Sequence, residues 1–175
     1  MCVRCGNVPA VLEVIIDNNA IDPLVDIPGA YEAARDSIQR GDLRIYYVYT
    51  TLNEAAATPD LDRRTRKLLV LIGAGNLVPA SGVLFNEFRF DQTAFSDDAG
   101  AAALDALASG DLNNENHRRD ALAAETAHVN GWALLTNEKR RLRNRATELG
   151  IEVLSTDELF AEIGFAPAAA TTTTS

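Results

Sequence analysis

Short apolar runs alternate along this chain with longer stretches of helical periodicity. The first run, at residues 11–16, is β-branched and continuous, which is typical of a buried strand. Further strands are predicted at residues 43–49, 76–80, 132–135 and 151–154. This alternation predicts an α/β fold, a three-layer α/β/α sandwich around a central, mostly parallel sheet.

Helices are predicted in the segments between the strands and after the last one. They cover residues 31–39, 61–72, 99–108, 118–129, 138–149 and 157–163. Thr51 and Glu54 have capping-box spacing and predict a short helix opening there, and Ser155 is predicted to cap the last helix. The prolines at 23 and 28 predict a loop after the first strand, whereas residues 81–95 fit either an extra strand or a loop.

The length of 175 residues suits one folded domain, expected at residues 11–165. Residues 1–10 are expected to be flexible, and the Ala/Thr-rich residues 166–175 to be a disordered tail. No apolar run is long enough to cross a bilayer, and the first residues do not resemble a signal peptide. A cytoplasmic protein without a membrane partner is therefore expected. Cys2 and Cys5 lack a second ligand pair for zinc, so idle thiols are the simpler interpretation.

The formal charge of −9 argues against a protein that coats nucleic acid through many cationic phosphate contacts. It does not exclude a nuclease, because a carboxylate cluster that holds divalent cations is itself acidic. The candidate ligands for such cations are four acids, Asp17, Glu54, Asp120 and Glu138. In a parallel sheet, ligands bind at the carboxyl ends of the strands, and these acids follow strand ends or open helices beside them.

Hard oxygen ligands of this kind suit Mg²⁺ or Mn²⁺ and the metal-assisted cleavage of phosphodiesters. Each acid also has a plainer interpretation. Asp17 could form a turn after its strand, Glu54 could complete the capping box, and Asp120 and Glu138 could favour the first turns of helices. The order and placement of the whole set favour a shared metal site, with all four acids as catalytic metal ligands.

Two stretches carry a resemblance to a known family. In the first, Asp17 follows an apolar strand and Asn19 is a polar residue two positions later. In the second, Asp120 opens an Ala-rich helix, which is followed by the strand 132–135 and then by Thr136-Asn137-Glu138. This pattern resembles PIN domains over roughly residues 11–163. The resemblance implies a PIN-like nuclease domain that uses Mg²⁺ or Mn²⁺, foremost an endoribonuclease similar to VapC-type toxins. Glu138 departs from the family, which usually has Asp there, and residues 81–95 match no part of the pattern.

The same resemblance implies an RNA substrate, an antitoxin protein partner and a homodimer. Asn19, Thr136, Arg140 and Arg141 are the expected substrate-binding residues, although Thr136 could simply cap a helix and the basic stretch could be a solvated helix face. The altered fourth acid leaves an alternative, a non-catalytic PIN-like module that binds RNA or protein. A phospho-receiver domain fits poorly, because Asn18 stands where it needs a second acid.

Overall fold

A computed structural model describes residues 11–80, 102–103, 106–107 and 115–167. The predictions for residues 1–10 with Cys2 and Cys5, for residues 81–95 and for most of the tail lie outside the described residues. Of the helix predicted at residues 99–108, four positions are described, and all four are helical.

Among the described residues, five parallel strands form the central sheet in the order β3-β2-β1-β4-β5. They are β1 (Leu12–Ile16), β2 (Leu43–Tyr47), β3 (Gly75–Leu77), β4 (Ala133–Leu135) and β5 (Val153–Leu154). The chain runs outward from β1 through β2 to β3, then crosses to β4 on the other side of β1. A topological switch point therefore lies between the carboxyl ends of β1 and β4, where ligands of open α/β sheets bind.

Helices cover both faces of the sheet and confirm the three-layer architecture. Their bounds are α1 (Asn18–Asp26), α2 (Ala30–Arg40), α3 (Tyr49–Ala56), α4 (Leu61–Ala74), α5 (Glu115–Asn130), α6 (Arg141–Glu148) and α7 (Thr156–Glu162). Side chains of α1 to α4 and α7 pack on one face against Val14 and Ile16 of β1. Those of α5 and α6 pack on the other face against Ile15. Within the described ranges, no helix is both long and apolar enough to span a bilayer.

The loop predicted around Pro23 is wrong, because α1 is a helix that passes through this proline. Asp17 starts the helix by accepting a 2.7 Å hydrogen bond from the backbone N–H of Asn18. Pro23 has no N–H to donate to the carbonyl four residues earlier, that of Asn19. Asn137 Nδ2 donates to that carbonyl instead, at 3.4 Å. A tertiary hydrogen bond thus replaces the one that the proline removes.

The capping box predicted at Thr51 is also wrong. Helix α3 begins two residues earlier, at Tyr49, without a side-chain cap, and Thr51 is buried with its hydroxyl 3.5 Å from the carbonyl oxygen of Ile16. Glu54 consequently lies inside the helix rather than in its first turn. The capping interpretation of Glu54 is therefore excluded, and its side chain is available at the carboxyl edge of the sheet.

Two other helix starts differ from the prediction. Helix α5 begins at Glu115, so Asp120 lies in its second turn, and the first-turn interpretation of this acid is wrong. Helix α6 begins at Arg141, so Glu138 precedes the helix. The predicted cap of the last helix is confirmed, because Ser155 and Glu158 form a complete capping box at α7.

Candidate active site

A cavity of about 500 Å³ lies at the carboxyl edge of the sheet, beside the switch point. Three of the four predicted acids line it: Asp17 after β1, Glu54 from α3 and Asp120 from α5. The remaining lining residues are Asn18, Asn19, Asn53, Ala57 and Arg119. Residues that are far apart in the sequence therefore meet here because parallel strands end at one edge of the sheet.

Asp17 is buried, with only 4% of its surface exposed, yet both carboxylate oxygens have donors. Oδ1 accepts from the Asn18 backbone at 2.7 Å, and Oδ2 accepts from Asn19 Nδ2 at 2.7 Å and Thr136 Oγ1 at 2.9 Å. Burial raises the pKa of this carboxyl, the nearby charge of Glu138 raises it further, and the three hydrogen bonds lower it. The donors thus hold the carboxylate in one orientation within an environment that disfavours its charge.

Asn19 and Asn137 connect this carboxylate to the start of α7. Asn19 Oδ1 accepts from the backbone N–H of Asn137 at 2.7 Å, which directs the Asn19 amide nitrogen toward Asp17. The Asn137 side chain in turn accepts from the Thr156 backbone at 3.0 Å and donates to the Thr156 hydroxyl at 2.8 Å. These hydrogen bonds therefore link the Asn19 side chain, which contacts Asp17, to the first residue of α7.

Asp120 lies in a field of negative charge. Burial raises its pKa from 3.8 to about 7, with further contributions from the charges of Asp17, Glu54 and Glu138. Arg141 opposes this shift, its guanidinium NH2 lying 3.9 Å from Asp120 Oδ2. The acids are therefore close enough to repel one another, and an arginine partly compensates.

Glu54 also faces an arginine. Its Oε1 lies 3.6 Å from NH1 of Arg119, the residue that directly precedes Asp120 in α5. Both side chains are mostly buried at the cavity wall, with 26% of Arg119 and 16% of Glu54 exposed. Two acids of the cavity are thus each paired with a cation from this chain.

Glu138 is engaged differently from the other three acids. Its Oε1 accepts from the backbone N–H of Arg141 at 3.0 Å, and its Oε2 from those of Leu142 and Arg143 at 2.8 and 3.3 Å. The carboxylate thereby caps the first turn of α6, where helix amides favour an anion. Glu138 lines an adjacent cavity of about 480 Å³ that also contains Lys139, and it acts on Asp17 and Asp120 through its charge.

Comparison with known proteins supports the architecture. Neither a family model nor a curated protein sequence matches this chain. The crystal structure of PAE2754 from Pyrobaculum aerophilum matches over 89% of this chain and 98% of its own, with 16% identity and a TM-score of 0.52. The chain has a PIN-like fold.

Two VapBC structures have the same PIN-like fold. VapBC2 from Rickettsia felis, bound to a DNA fragment from its promoter, is 10% identical, covers 82% of this chain and 98% of its own, and has a TM-score of 0.51. VapBC-1 from nontypeable Haemophilus influenzae is 13% identical, with 83% and 99% covered and a TM-score of 0.50. At these identities the likeness concerns the fold, so the chemistry has to be argued from the residues of the site.

The donor set fits a hard divalent cation. Asp17, Glu54 and Asp120 supply carboxylate oxygens from three elements of the PIN-like fold. The pKa of Asp120 is raised first by burial and then by neighbouring negative charge, which such an ion would neutralise. Among the residues that the structure describes, no three His, Cys, Asp or Glu side chains are already arranged to hold an ion. Binding would therefore require Glu54 and Asp120 to turn away from their arginines.

The predicted substrate-binding residues occupy different positions. Asn19 and Thr136 contact Asp17, and Arg141 reaches Asp120. Arg140 is exposed just before α6 and lines neither of the two cavities. Their roles in binding substrate stay predictions.

Sequence reasoning missed three polar residues that line the cavity, namely Asn18, Asn53 and Arg119. Each is the immediate neighbour of a predicted acid, which is the signal that could have found them. It also missed Asn137, whose contacts depend on the placement of α7 and could not be inferred from spacing.

Proposed function

We propose that this protein is a divalent-metal-dependent endonuclease that cleaves phosphodiester bonds in RNA. The observation that carries the proposal is the meeting of Asp17, Glu54 and Asp120 in one cavity at the switch point, with burial and mutual repulsion raising the pKa of Asp120 to about 7. Acids brought together at this cost suit a site that holds Mg²⁺ or Mn²⁺. When bound, such an ion activates a water molecule and neutralises charge on the phosphate.

The residues of the chain would divide the remaining work. Asp17, oriented by Asn19 and Thr136, is the best-ordered metal ligand, and Glu54 from α3 and Asp120 from α5 complete the set. Glu138 is the fourth proposed metal-binding acid but ranks below these three. Its carboxylate would have to leave three backbone amides to reach the cavity, so in the capped position it contributes through charge.

RNA would approach from the side of α6. Arg140 immediately precedes this helix and Arg141 begins it, and Arg141 already lies within ion-pair distance of Asp120. Cations in this place would hold the RNA backbone while the acids hold the metal, which lets a chain with a net charge of −9 bind a polyanion locally.

The VapBC structures with the same fold support a second part of the proposal. The chain would act as the toxin of a toxin–antitoxin pair, with an antitoxin protein as its partner. A homodimer is part of the proposal on the resemblance to PIN domains alone. One observation favours a different function, a non-catalytic PIN-like module that binds RNA or protein: Glu54 and Asp120 are paired with arginines and Glu138 caps a helix.

RNA cleavage by the purified protein distinguishes these functions. Wild type, Asp17→Asn and the matched control Asp36→Asn, an exposed acid of α2, are incubated with single-stranded RNA in Mn²⁺, Mg²⁺ or EDTA. Cleavage by wild type and Asp36→Asn in metal, with none in EDTA and at least a 100-fold loss in Asp17→Asn, supports the nuclease. RNA binding without cleavage in every metal would support the binding module.

A further inference from the structure

Lys67 is a buried cation that the proposed cleavage does not use. Among the residues that the structure describes, it is the one lysine or arginine that is buried, with 5% of its surface exposed. Its Nζ lies 2.7 Å from Asp22 Oδ1 and donates to Asn18 Oδ1 at 3.5 Å. Lys67 belongs to α4, whereas Asp22 and Asn18 belong to α1. Its ammonium group therefore contacts the residue that directly follows Asp17.

The packing of α4 on α1 does not depend on this buried lysine. Arg63, one turn earlier in α4, already joins the two helices by pairing with Asp22 and Asp26, each at 2.9 Å. The other buried positions of α4 are apolar. Burying an ammonium group is costly, and apolar side chains of similar size often replace a buried ion pair without loss of stability. The presence of Lys67 is therefore better explained by the side chain that it holds.

The contact with Lys67 decides which way the Asn18 amide faces. A lysine only donates hydrogen bonds, so the amide oxygen Oδ1 is the atom turned toward the ammonium group. Asn18 also lines the cavity of about 500 Å³. Within the described ranges of the chain, its amide nitrogen Nδ2 has no hydrogen-bond partner, whereas Nδ2 of Asn19 donates to Asp17 at 2.7 Å. The cavity wall thus carries an unused neutral donor beside the acids.

The chemistry of this donor indicates what it would bind. An amide NH₂ group donates hydrogen bonds and does not bind a cation, but it can donate to a phosphate oxygen. We propose that Lys67 positions the Asn18 amide so that Nδ2 donates to a non-bridging phosphate oxygen of RNA in the cavity. Asn18 is then a substrate-binding residue and Lys67 a positioning residue. This inference rests on the proposed function and adds to it a contact with the substrate that no metal ion mediates.

A double-mutant cycle in RNA affinity tests both residues. A fluorescein-labelled single-stranded RNA is titrated by anisotropy in Ca²⁺, and gel analysis verifies that the RNA is intact. The proteins are wild type, Asn18→Ala, Lys67→Met and the double variant. The controls are Gln39→Ala, which removes an exposed amide of α2, and Arg66→Met, which removes an exposed cation of α4.

Lys67→Met should fold, because Asp22 keeps its ion pair with Arg63. Lys67→Gln is made in parallel as a second neutral variant. Its amide can accept as well as donate, so it no longer fixes which atom of Asn18 faces it. Both variants should therefore have the same effect on RNA affinity.

Asn18→Ala should raise the Kd for RNA about tenfold or more, which is the contribution of one hydrogen bond to a charged group. Lys67→Met should raise the Kd a few-fold in the wild-type background and leave it unchanged in the Asn18→Ala background, because the amide that it positions is then absent. Gln39→Ala and Arg66→Met should match wild type. Wild-type affinity of Asn18→Ala, or equal weakening by Lys67→Met in both backgrounds, would overturn the proposal.

Mn²⁺ binding without RNA separates this role from that of a metal ligand. Asn18→Ala should bind Mn²⁺ like wild type in calorimetry, because the atom that faces the cavity is a donor. Weaker Mn²⁺ binding by Asn18→Ala, with an unchanged thermal melt, would mean that its amide oxygen binds the ion and would contradict the proposal. If wild type cleaves RNA but Asn18→Ala binds RNA equally well, this inference fails and the nuclease stands; if wild type neither cleaves nor binds RNA in metal, both fail.

Discussion

Thr136 Oγ1 donates a 2.9 Å hydrogen bond to Asp17 Oδ2, joining two residues that are 119 positions apart in the chain. Thr136 follows β4 and Asp17 follows β1, so the bond spans the switch point where the cavity opens. Both side chains are buried, and the hydroxyl also accepts the backbone N–H of Glu138 at 3.2 Å. Thr136 therefore connects the best-ordered acid of the site to the turn that precedes α6.

We expect Thr136→Val, which keeps the shape but removes the hydroxyl, to weaken both stability and cleavage. The substitution takes a donor from a buried carboxylate and leaves the Glu138 N–H without its acceptor. Hydrogen bonds to charged groups contribute about 1.5–3 kcal/mol, so the free energy of unfolding should fall by about that much. Cleavage should fall about tenfold or more, measured as kcat/KM at saturating metal.

Thr65→Val is the matched control for this substitution. Thr65 is exposed in α4, and its hydroxyl donates only to the carbonyl of Leu61 in the same helix. Urea unfolding and cleavage of this variant should stay close to wild type. Equal losses in both variants would mean that the contact with Asp17 has no special role.

Stability in the absence of metal should fall as pH rises from about 4 through 7. Burial and the charges of Asp17 and Glu54 raise the pKa of Asp120 from 3.8 to about 7, so the folded protein keeps a proton that the unfolded chain releases between these values. Asp17, whose pKa burial also raises, adds to the same slope. Urea unfolding in EDTA at pH 5 and pH 8 measures this change in the free energy of unfolding.

Asp120→Asn should flatten this dependence by removing the charge. At pH 8 and without metal, we expect the variant to be about 1–2 kcal/mol more stable than wild type, less than a fully buried acid would give because solvent screens part of the carboxylate. Asp36→Asn, at an exposed position, should leave the pH dependence unchanged. A variant that is less stable than wild type at pH 8 would show that Asp120 stabilises the fold rather than straining it.

The general plan of the fold could be predicted because it depends on patterns local to each segment. The apolar run that ends at Asp17 is recognisable from composition alone, and Ser155 with Glu158 caps α7 as its spacing predicted. Helix α1 could not be predicted in the same way. Its proline is tolerated because Asn137, more than a hundred residues later, donates to the carbonyl of Asn19.

For the acids of the site, too, some features follow from local sequence patterns and others depend on tertiary structure. Their placement near strand ends follows from topology, and three of them line one cavity at that edge of the sheet. What each carboxylate contacts depends on where a helix begins, and helix starts were predicted two or three residues away from their positions at Tyr49, Glu115 and Arg141. Because α3 begins earlier than predicted, Glu54 does not cap it. Because α6 begins later than predicted, Glu138 lies before its first turn and caps it.

The dependence of α1 on Asn137 can be measured with a double-mutant cycle. Asn137→Ala removes the donor to the Asn19 carbonyl, and Pro23→Ala supplies a helical N–H to the same carbonyl. Asn137→Ala should therefore destabilise the protein less in the Pro23→Ala background than in wild type, by about 0.5–1.5 kcal/mol. Its bonds to Thr156 are lost in both backgrounds and cancel. Strictly additive effects in urea unfolding would contradict this relationship.

Substitutions of Glu138 test directly whether this acid caps a helix or binds metal as the other three acids are proposed to do. Its carboxylate accepts three backbone N–H groups at the start of α6, and a helix cap of this kind contributes about 0.5–2 kcal/mol. Glu138→Gln keeps the length of the side chain but loses its charge. We expect a loss of about 1 kcal/mol in the free energy of unfolding, together with a higher Mn²⁺ concentration for half-maximal cleavage.

The comparison with Asp17 and with a shorter acid separates capping from metal binding. Glu138→Gln should slow cleavage at saturating Mn²⁺ much less than Asp17→Asn does, because the Glu138 carboxylate is held by amides whereas Asp17 lines the cavity. Glu138→Asp keeps the charge, so it should retain cleavage, but its carboxylate is one methylene short of the three amides, so its thermal melt should fall. If Glu138→Gln were as inactive as Asp17→Asn at saturating metal and melted like wild type, Glu138 would be a full metal ligand that leaves its cap when the ion binds.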